Sequence, residues 1–257
     1  MLLATPREIR SNVKRRFSVV LATSSSEIEA AQRLRRCVFA EEMGARITGR
    51  TQDRDEDIFD AWCEHLIIRD DAAERVVGTY RILTPDRAKR IGAFYADGEF
   101  DLTRFRRTRP RAIEVGRACV DAEYRGGATL MLLWQGLARY MSTRNFDGIF
   151  GCASISLRDG GTNAVRVYHH VAPRHLAPIE YRVFPRHRLA PREDVDPATA
   201  SATAVMPPLL KGYLRLGAWV GGEPAWDPDF NTADLFVFLE LARLEARYAR
   251  HFLTQAD

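Results

Sequence analysis

The stretch from Ala112 to Met141 changes its hydrophobic period once, at a short basic turn that contains two glycines. Residues 113–120 form a mostly apolar, β-prone run that is typical of a strand. The later part repeats its apolar residues at spacings of three and four, as one buried helix face requires: Leu130, Leu133, Trp134, Leu137 and Met141. The stretch therefore predicts a strand, a turn and a helix in direct succession, and the rest of the chain has to pack around this unit.

The turn has the composition of an anion-binding loop. Glycine lets backbone amides approach a ligand closely, and the free N–H groups at a helix start attract phosphate. We therefore predict a phosphate-binding loop made of Arg125, Gly126, Gly127, Ala128 and Thr129. The alternative is an ordinary strand-to-helix turn in which a glycine supplies a positive φ.

The composition is that of a soluble globular protein, with 46 % hydrophobic and 28 % charged residues, and it excludes bulk disorder and fibrous classes. The chain has no apolar run of the roughly 20 residues needed to span a bilayer and no apolar signal segment. Its cysteines are widely spaced, without metal-type spacing, and are predicted to be small buried residues: Cys37, Cys63, Cys119 and Cys152. These features predict a cytoplasmic protein.

Arginine dominates the basic residues, since all but three of the 38 are arginine. It clusters in two predicted loops, Arg104–Arg111 and Arg182–Arg192. Such loops suit an acidic partner surface or anionic lipid headgroups, and the alternative is a solvated face. Nucleic acid is not expected as a partner, because no nucleic-acid-binding motif accompanies the charge.

Hydrophobic periodicity and turn residues predict one domain over residues 17–257, preceded by a basic arm of residues 1–16. A mobile insertion rich in Pro, Arg and Ala is predicted around residues 173–208.

Further elements are predicted on both sides of the central unit. Before it, they are a strand (17–22), a helix (27–40) capped by Ser24–Ser26, a hairpin (63–69 and 75–83) and a turn or short helix opening at Pro85. After it, they are a strand (148–155), a helix (162–171) ending before Pro173, a helix (209–216), strands (218–222 and 234–239) and a C-terminal helix (241–252).

This order, centred on the anion loop, resembles the GCN5-related N-acyltransferase (GNAT) fold. The resemblance implies an α+β class with a central, mixed and mostly antiparallel sheet flanked by helices. The segments that carry it are Arg35–Gly44, Asp57–Asp60, Gly78–Arg81 and Glu114–Arg117.

Within this superfamily the chain is similar to two branches that use acyl-carrier protein, the acyl-homoserine-lactone synthases and the L-ornithine Nα-acyltransferases. Further segments favour the second branch: Cys63–Leu66, Tyr124–Ala128, Leu130–Gly136, Gly151–Ile155, Leu210–Ala218 and Phe230–Asp234. This likeness implies an enzyme that moves a 3-hydroxyacyl chain from acyl-carrier protein to the α-amine of L-ornithine, the first step of ornithine lipid biosynthesis. The alternatives are a lactone synthase, another GNAT N-acyltransferase, or a non-catalytic module that binds acyl chains or carrier protein.

The loop departs from the superfamily pattern Gln/Arg-x-x-Gly-x-Gly/Ala, because Arg125 is followed at once by Gly126. The departure favours the phosphopantetheine arm of acyl-carrier protein, with its single phosphate, over acyl-CoA. No permanently bound cofactor is expected.

An amine that attacks a thioester must be neutral, and an α-amino group with a pKa of roughly 8 needs only one carboxylate, directly or through water, to lose its proton. Glu114 is the candidate for that carboxylate. The alternative is an ion pair of Glu114 with Arg117 or Arg81 that merely fixes the strand.

The acceptor has one carboxylate and one side-chain ammonium. Asp57 and Asp60 are candidates for the ammonium, although both could instead cap their loop. The carboxylate is assigned to a bidentate arginine, and the spacing leaves Arg35, Arg81 and Arg117 open for this role. Arg81 and Arg117 are also predicted at the catalytic centre, and Phe39 is a further substrate-binding candidate.

Three other reactive residue types are given structural roles. His65 lies in a strand and is predicted to be a hydrogen-bonded core residue. The adjacent pair His169 and His170 would diverge, so no metal site is predicted. An acyl-enzyme on Cys119 is not expected, because direct transfer needs no covalent intermediate.

The product of the implied reaction carries a single acyl chain and would leave toward a membrane. Peripheral contact with an anionic membrane at its inner face, through Arg104–Arg111 or the C-terminal helix, is therefore a further hypothesis.

Overall fold

The structure is a computed structural model that describes residues 17–47, 51–190 and 203–244. The basic arm and most of the predicted C-terminal helix lie outside these residues. An eight-stranded sheet organises the described chain. Its strands are β1 (Phe17–Leu21), β2 (Glu64–Asp70), β3 (Arg75–Leu83), β5 (Ala112–Val120), β6 (Gly148–Ser156), β8 (Trp219–Val220), β9 (Ala225–Asp227) and β10 (Thr232–Glu240). Their order in the sheet is β1-β2-β3-β5-β6-β10-β8, and β9 pairs with β10.

A small second sheet pairs β4 (Phe100–Asp101) with β7 (Phe184–Pro185). The described helices are α1 (Ser25–Arg36), which continues as a π-helix (Cys37–Glu42), α2 (Pro85–Ile91), α3 (Ala96–Glu99), α4 (Gly127–Arg144), α5 (Thr162–His175) and α6 (Pro208–Arg215). None of the helices in the described part of the chain is both long and apolar enough to cross a membrane.

Local sequence signals explain most element boundaries. A capping box starts α1, because the Ser24 side chain accepts from the Glu27 N–H while the Glu27 carboxylate accepts from the Ser24 N–H. The predicted antiparallel hairpin is confirmed, and β3 has the predicted bounds Arg75–Leu83. The central strand, turn and helix are confirmed as β5 and α4.

Strand β5 and its neighbour β6 form the parallel pair of the sheet, and they separate after a short contact. Their register covers only Ala112–Glu114 against Gly148–Phe150. Gly151 permits the close approach at the end of this contact, since a Cβ there would lie 2.1 Å from the Val115 carbonyl oxygen. Beyond that point the two strands leave a gap in the sheet.

The core lies on both faces of the sheet. Helices α4, α5 and α6 cover one face, over a cluster that includes Ile82, Leu133 and Leu235. The other face carries an aromatic cluster in which the ring centroids of Phe105 and Phe238 are 4.8 Å apart. The predicted fold class, α+β with a mostly antiparallel mixed sheet, is confirmed.

Two local predictions are wrong. Helix α5 continues through Pro173 to His175. The proline removes one backbone donor, but only two helical residues follow it, so any disturbance is confined to the last turn. Cys37 is exposed and Cys152 is half-buried, whereas Cys63 and Cys119 are buried as predicted.

The described part of the predicted insertion packs against the sheet. Ala177 and Val183 are each 1 % exposed, and the Val183 N–H donates to the Gly221 carbonyl. Most of the segment from Asp196 to Ala204 lies outside the described residues, so mobility and the single-domain boundaries stay predictions.

Candidate active site

A cavity of about 690 Å³ opens where β5 and β6 separate. Its wall contains these predicted site residues: Phe39, Arg81, Glu114, Arg117, Arg125, Gly126 and Gly127. The other predicted site residues lie outside the cavity wall: Arg35, Asp57, Asp60, Ala128 and Thr129. The sequence prediction therefore brought together residues from π-helix, β3, β5 and α4 that do meet in one space.

Arg35 projects from α1 into a buried ion network and is fully buried itself. Its Nε donates to Asp55 Oδ2 over 2.7 Å, and its Nη1 donates to Asp60 Oδ1 over 2.6 Å. Its Nη2 also donates to Asp60 Oδ2 over 3.0 Å. Arg35 therefore connects the loop that carries Asp55 and Asp60 to the first helix. Its guanidinium is already bound by these protein carboxylates.

Arg81 and Arg117 complete this network from the sheet side. Arg81 Nη1 donates to Asp57 Oδ1 over 2.6 Å and to Asp60 Oδ2 over 3.1 Å. Arg117 donates to Asp55 Oδ2 over 3.1 Å and to Asp57 Oδ2 over 3.2 Å. Three arginines and three aspartates thus neutralise one another, and we call them the arginine–aspartate network: Arg35, Arg81, Arg117, Asp55, Asp57 and Asp60.

The network explains the charge state of Asp60, which is 6 % exposed. Burial by itself would raise the pKa of this carboxyl, but the hydrogen bonds and charges of Arg35 and Arg81 outweigh burial and hold the pKa below its usual range. Asp60 also accepts the backbone N–H of Asp57 over 2.9 Å. These contacts favour a structural role for Asp60, and its predicted contact with a substrate ammonium stays a prediction.

Arg117 owes its position to an irregularity in β5. Its φ is 49°, and the register with β3 shifts between Thr79 and Arg81, as at a β-bulge that redirects a side chain. Its guanidinium lies over the ring of Phe230, 4.3 Å from the centroid, and over the ring of Tyr95 at 5.1 Å. The bulge therefore directs the Arg117 guanidinium toward the aspartates of the network, while Arg117 also lines the cavity.

Phe39 lies on the π-helix and packs edge to face against Phe230, with ring centroids 5.9 Å apart. The same Phe230 ring contacts Arg117. The two phenylalanines therefore form an aromatic side of the cavity next to the arginine, which is where a substrate-binding role was predicted for Phe39.

Glu114 is 5 % exposed and lies in the cavity wall. Its carboxylate oxygens accept the backbone N–H groups of Tyr95 over 2.8 Å and of Ala96 over 2.7 Å. Burial raises the pKa of Glu114 to about 7, although these two hydrogen bonds act in the opposite direction. The alternative of an ion pair with Arg117 or Arg81 is wrong, since no described arginine lies within 4.0 Å of this carboxylate.

Sequence reasoning missed an acidic end of the cavity, whose wall contains Asp227 and Asp234. Glu99 lies outside this wall, but its carboxyl is affected by the charges of both aspartates. Burial, followed by the charge of Asp227, raises the pKa of Asp234 to about 6. Burial, followed by Asp234 and Asp227, raises the pKa of Glu99 to about 7. The Tyr95 hydroxyl donates to Asp227 Oδ2 over 3.3 Å. One local signal existed, because Asp234 is an acid inside an otherwise apolar strand; Tyr95 and Asp227 had no such signal.

The glycine loop leaves open space above the start of α4. Gly126 has an extended backbone with φ −163°, and a Cβ on Gly126 or Gly127 would meet no atom within 4 Å. The alternative in which one of these glycines supplies a positive φ is therefore wrong. The Thr129 hydroxyl donates to the Tyr124 carbonyl over 2.8 Å, so its side chain serves the start of α4, where the first helical N–H groups lack intrahelical acceptors.

The remaining wall of the cavity is apolar and comes from the sheet and from the helices α4 and α6 that cover it. Its residues include Val115, Leu133, Ile149, Leu210, Val237 and Leu239. Such a wall suits a hydrocarbon chain, because it buries apolar surface and offers few polar groups.

The surroundings of His65 and Cys119 favour the structural roles predicted for them. His65 is 1 % exposed, and its Nε2 lies 3.3 Å from the Asp60 carbonyl. Burial lowers the pKa of His65 and so favours the neutral ring. Burial also raises the pKa of the Cys119 thiol, which disfavours a nucleophilic thiolate.

Comparison with known proteins shows where the chain belongs by sequence. The family model described as an acetyltransferase (GNAT) domain matches residues 34–135. The chain is 38 % identical to the L-ornithine N(alpha)-acyltransferase of Brucella abortus (strain 2308), over 94 % of the chain and 90 % of that protein. It is 38 % identical to the L-ornithine N(alpha)-acyltransferase of Rhizobium meliloti (strain 1021), over 90 % of the chain and 82 % of that protein.

Solved structures share the fold at low sequence identity. The acyl-homoserine-lactone synthase LasI superposes with a TM-score of 0.52 at 12 % identity, covering 93 % of this chain and 96 % of that one. The CoA-dependent acyl-homoserine lactone synthase BjaI, solved with SAM and isopentyl-CoA, has a TM-score of 0.53 at 13 % identity, covering 90 % and 82 %. These likenesses support the fold assignment.

Proposed function

Because the chain belongs to the family of L-ornithine N(alpha)-acyltransferases and is an N-acyltransferase, we propose that it moves a 3-hydroxyacyl chain from acyl-carrier protein to the α-amine of L-ornithine. The product is a lyso-ornithine lipid. The observation that carries this proposal is that a helix start, an apolar wall and a group of buried carboxylates meet in the same cavity.

The donor's phosphate is assigned to the start of α4. The free N–H groups there and the open space over Gly126 and Gly127 suit one phosphate of a phosphopantetheine arm. Arg125 lies beside them with its side chain 48 % exposed and forms an ion pair with Glu42. The apolar wall receives the acyl chain, and the gap between β5 and β6 receives the thioester.

The acceptor is assigned to the polar end of the cavity. Asp234 is buried and forms no ion pair in the described residues, so a ligand ammonium would stabilise its ionised form. Asp227 lies in the same part of the cavity wall. Arg117 offers its cavity edge to the acceptor carboxylate. The predicted role of Asp57 is then indirect, since its carboxylate holds both Arg81 and Arg117 in place.

The chemistry is a direct aminolysis. Glu114, with a pKa of about 7, takes a proton from the attacking α-amine, directly or through water. The nitrogen bonds to the thioester carbon, the carbon–sulfur bond breaks, and the departing thiolate takes up the proton. Backbone groups of β5 beyond Glu114 face the gap without a β6 partner in the register and are the candidate donors to the oxyanion.

The test is an in vitro transfer assay with the purified full chain. We expect 3-hydroxyacyl-ornithine, identified by mass spectrometry, when 3-hydroxyacyl carrier protein and L-ornithine are supplied. Matched reactions with the corresponding acyl-CoA, with lysine or with S-adenosylmethionine separate the donor and acceptor alternatives. Carrier-protein binding without transfer to any of these amines would contradict the enzyme proposal and favour a binding module.

The proposed location is the cytoplasm with peripheral contact to an anionic membrane. A basic apolar patch supports it: Arg104, Arg106 and Arg107 are exposed next to Ile179 and Phe184, which are 64 % and 44 % exposed. The Arg104 guanidinium lies 5.1 Å from the Phe184 ring centroid. Co-sedimentation with phosphatidylglycerol vesicles is expected, with phosphatidylcholine vesicles as the control, and equal sedimentation with both would reject the electrostatic contact.

A further inference from the structure

A pair of buried tyrosine hydroxyls lies in the apolar part of the cavity. We propose that Tyr80 and Tyr213 recognise an oxygen substituent on the acyl chain and thereby select hydroxylated donors over unsubstituted ones. This inference rests on the proposed acyl transfer, and it assigns the residues that would set its donor specificity.

The two tyrosines come from distant parts of the chain. Tyr80 lies in β3 and Tyr213 lies in α6, and their hydroxyl oxygens are 2.6 Å apart. They are 1 % and 6 % exposed, and both line the cavity. Their neighbours in the wall, such as Leu133 and Leu210, are apolar, so the hydroxyl pair is the local source of hydrogen-bonding capacity for a ligand.

Close packing of α6 against α4 brings Tyr213 to this place. Gly212 permits it, because a Cβ at that position would lie 2.0 Å from Cη2 of Trp134. The rings of Trp134 and Tyr213 have their centroids 6.0 Å apart. A glycine before Tyr213 therefore allows the hydroxyl pair to form.

Counting protons shows why the pair can serve a ligand. Two hydroxyls carry two protons, and the bond between them uses one. The second proton has no acceptor among the hydrogen bonds of the described residues. The neighbouring Trp134 indole cannot accept it, because an indole N–H only donates. One hydroxyl donor thus remains available to an oxygen in the cavity.

The strand register places this donor near the reacting end of the chain. Tyr80 precedes Arg81, which pairs with Gly116 of β5. The gap between β5 and β6 opens just before that residue, after Glu114. Because consecutive strand residues face opposite sides, Arg81 serves the polar side while Tyr80 faces the acyl side, close to the same opening. The substituent it would contact therefore lies close to the thioester.

Burying a hydroxylated chain against an apolar wall costs free energy unless the chain's oxygen forms a hydrogen bond. The free hydroxyl donor of the tyrosine pair supplies that hydrogen bond. An unsubstituted chain leaves the donor unused, but the two tyrosines still satisfy each other. We therefore expect a preference of roughly 10- to 100-fold in kcat/KM, smaller than in a site whose polar groups would be left wholly unpaired.

The experiment is a competition between 3-hydroxyacyl and unsubstituted acyl carrier proteins of equal chain length, with wild type and the double variant Tyr80→Phe/Tyr213→Phe. Both hydroxyls are removed because either one alone would still carry a proton to donate. The double variant should bring the kcat/KM ratio toward one by losing activity on the hydroxylated donor only. Tyr140→Phe, which alters a buried tyrosine outside the cavity wall, is the control and should retain the ratio. No preference in wild type, or an equal loss on both donors in the double variant, would overturn the inference.

A second measurement separates this inference from the proposed function. Calorimetric binding of a free 3-hydroxy fatty acid and of the unsubstituted acid of equal length needs neither carrier protein nor ornithine. A preference that disappears in the double variant Tyr80→Phe/Tyr213→Phe would support the hydroxyl pair even if no ornithine were acylated. Equal binding of both acids to wild type would reject it.

Discussion

Two groups of buried charges, the arginine–aspartate network and the acidic end of the cavity, differ in how they are compensated. In the arginine–aspartate network every carboxylate accepts from at least one guanidinium, as with the 2.7 Å bond from Arg35 to Asp55. At the acidic end of the cavity, Asp234 relies on the Thr232 hydroxyl over 3.0 Å, and burial raises its pKa to about 6.

The difference distinguishes paired charges, which stabilise the fold, from unpaired buried carboxylates, which are available to a ligand. The carboxylates of the network are paired with arginines, and removing any one arginine would leave a buried carboxylate without its cation. Carboxylates buried without a cation reduce stability, and such groups concentrate at binding and catalytic sites. The predictions below test this division from the largest expected effect to the smallest.

Arg35→Met should have the largest effect on stability, because it leaves Asp55 and Asp60 buried without their main cation. We expect a loss of about 3–5 kcal/mol in the free energy of unfolding, measured by urea denaturation at neutral pH. Arg33→Met is the matched control on the same helix; its exposed ion pair with Glu29, at 3.5 Å, should contribute at most about 1 kcal/mol. Similar losses in both variants would mean that the network is not special.

Glu114→Gln should lower kcat about 10²- to 10⁴-fold while the binding of the acyl donor is retained. Because the pKa of Glu114 is about 7, the wild-type rate should rise with pH through that value as the base becomes ionised. This rising limb should be absent in the variant. Glu99→Gln is the control, since the pKa of Glu99 is also about 7. A limb that persists in Glu114→Gln and is lost in Glu99→Gln would assign the base to Glu99.

Asp234→Asn should stabilise the free protein at alkaline pH and weaken the binding of the acceptor, ornithine. The folded pKa of Asp234 is raised from 3.8 to about 6, so the wild type loses stability as pH rises through this range, whereas asparagine has no charge to bury. We expect a gain of about 1–3 kcal/mol at pH 8 that vanishes below pH 3.8, together with a KM for ornithine raised about 10-fold or more.

Urea denaturation at pH 8 and at low pH, with ornithine kinetics, measures both effects. Asp229→Asn alters an exposed neighbour and should change neither quantity. A variant that is less stable at pH 8, or that binds ornithine as well as wild type does, would contradict the assignment of Asp234 to the acceptor.

Much of the fold follows from local sequence. The bounds of β3, the capping box of α1 and the change of period between β5 and α4 rest on residues within a few positions of one another, so a pattern can predict them. Pro173 was misread because its cost depends on how many helical residues follow, which the local pattern does not state.

The candidate site could be predicted in part. Glu114, Arg117 and Arg81 belong to motifs of the resembled families, and they do line the cavity. Spacing could not show that Asp60 is occupied by Arg35 and Arg81, because the partner of a charge depends on which elements pack together. The substrate roles proposed for these residues stay predictions.

The sequence by itself determined the elements, their order and a group of residues that reach one cavity, because periodicity, capping and motifs are short-range properties. Tertiary structure alone decided which charges are neutralised and which face the cavity, and it brought Tyr80 to Tyr213 across 133 positions of the chain. The reason is physical: burial and pairing set the energy of a polar group, and both depend on neighbours that are remote in sequence.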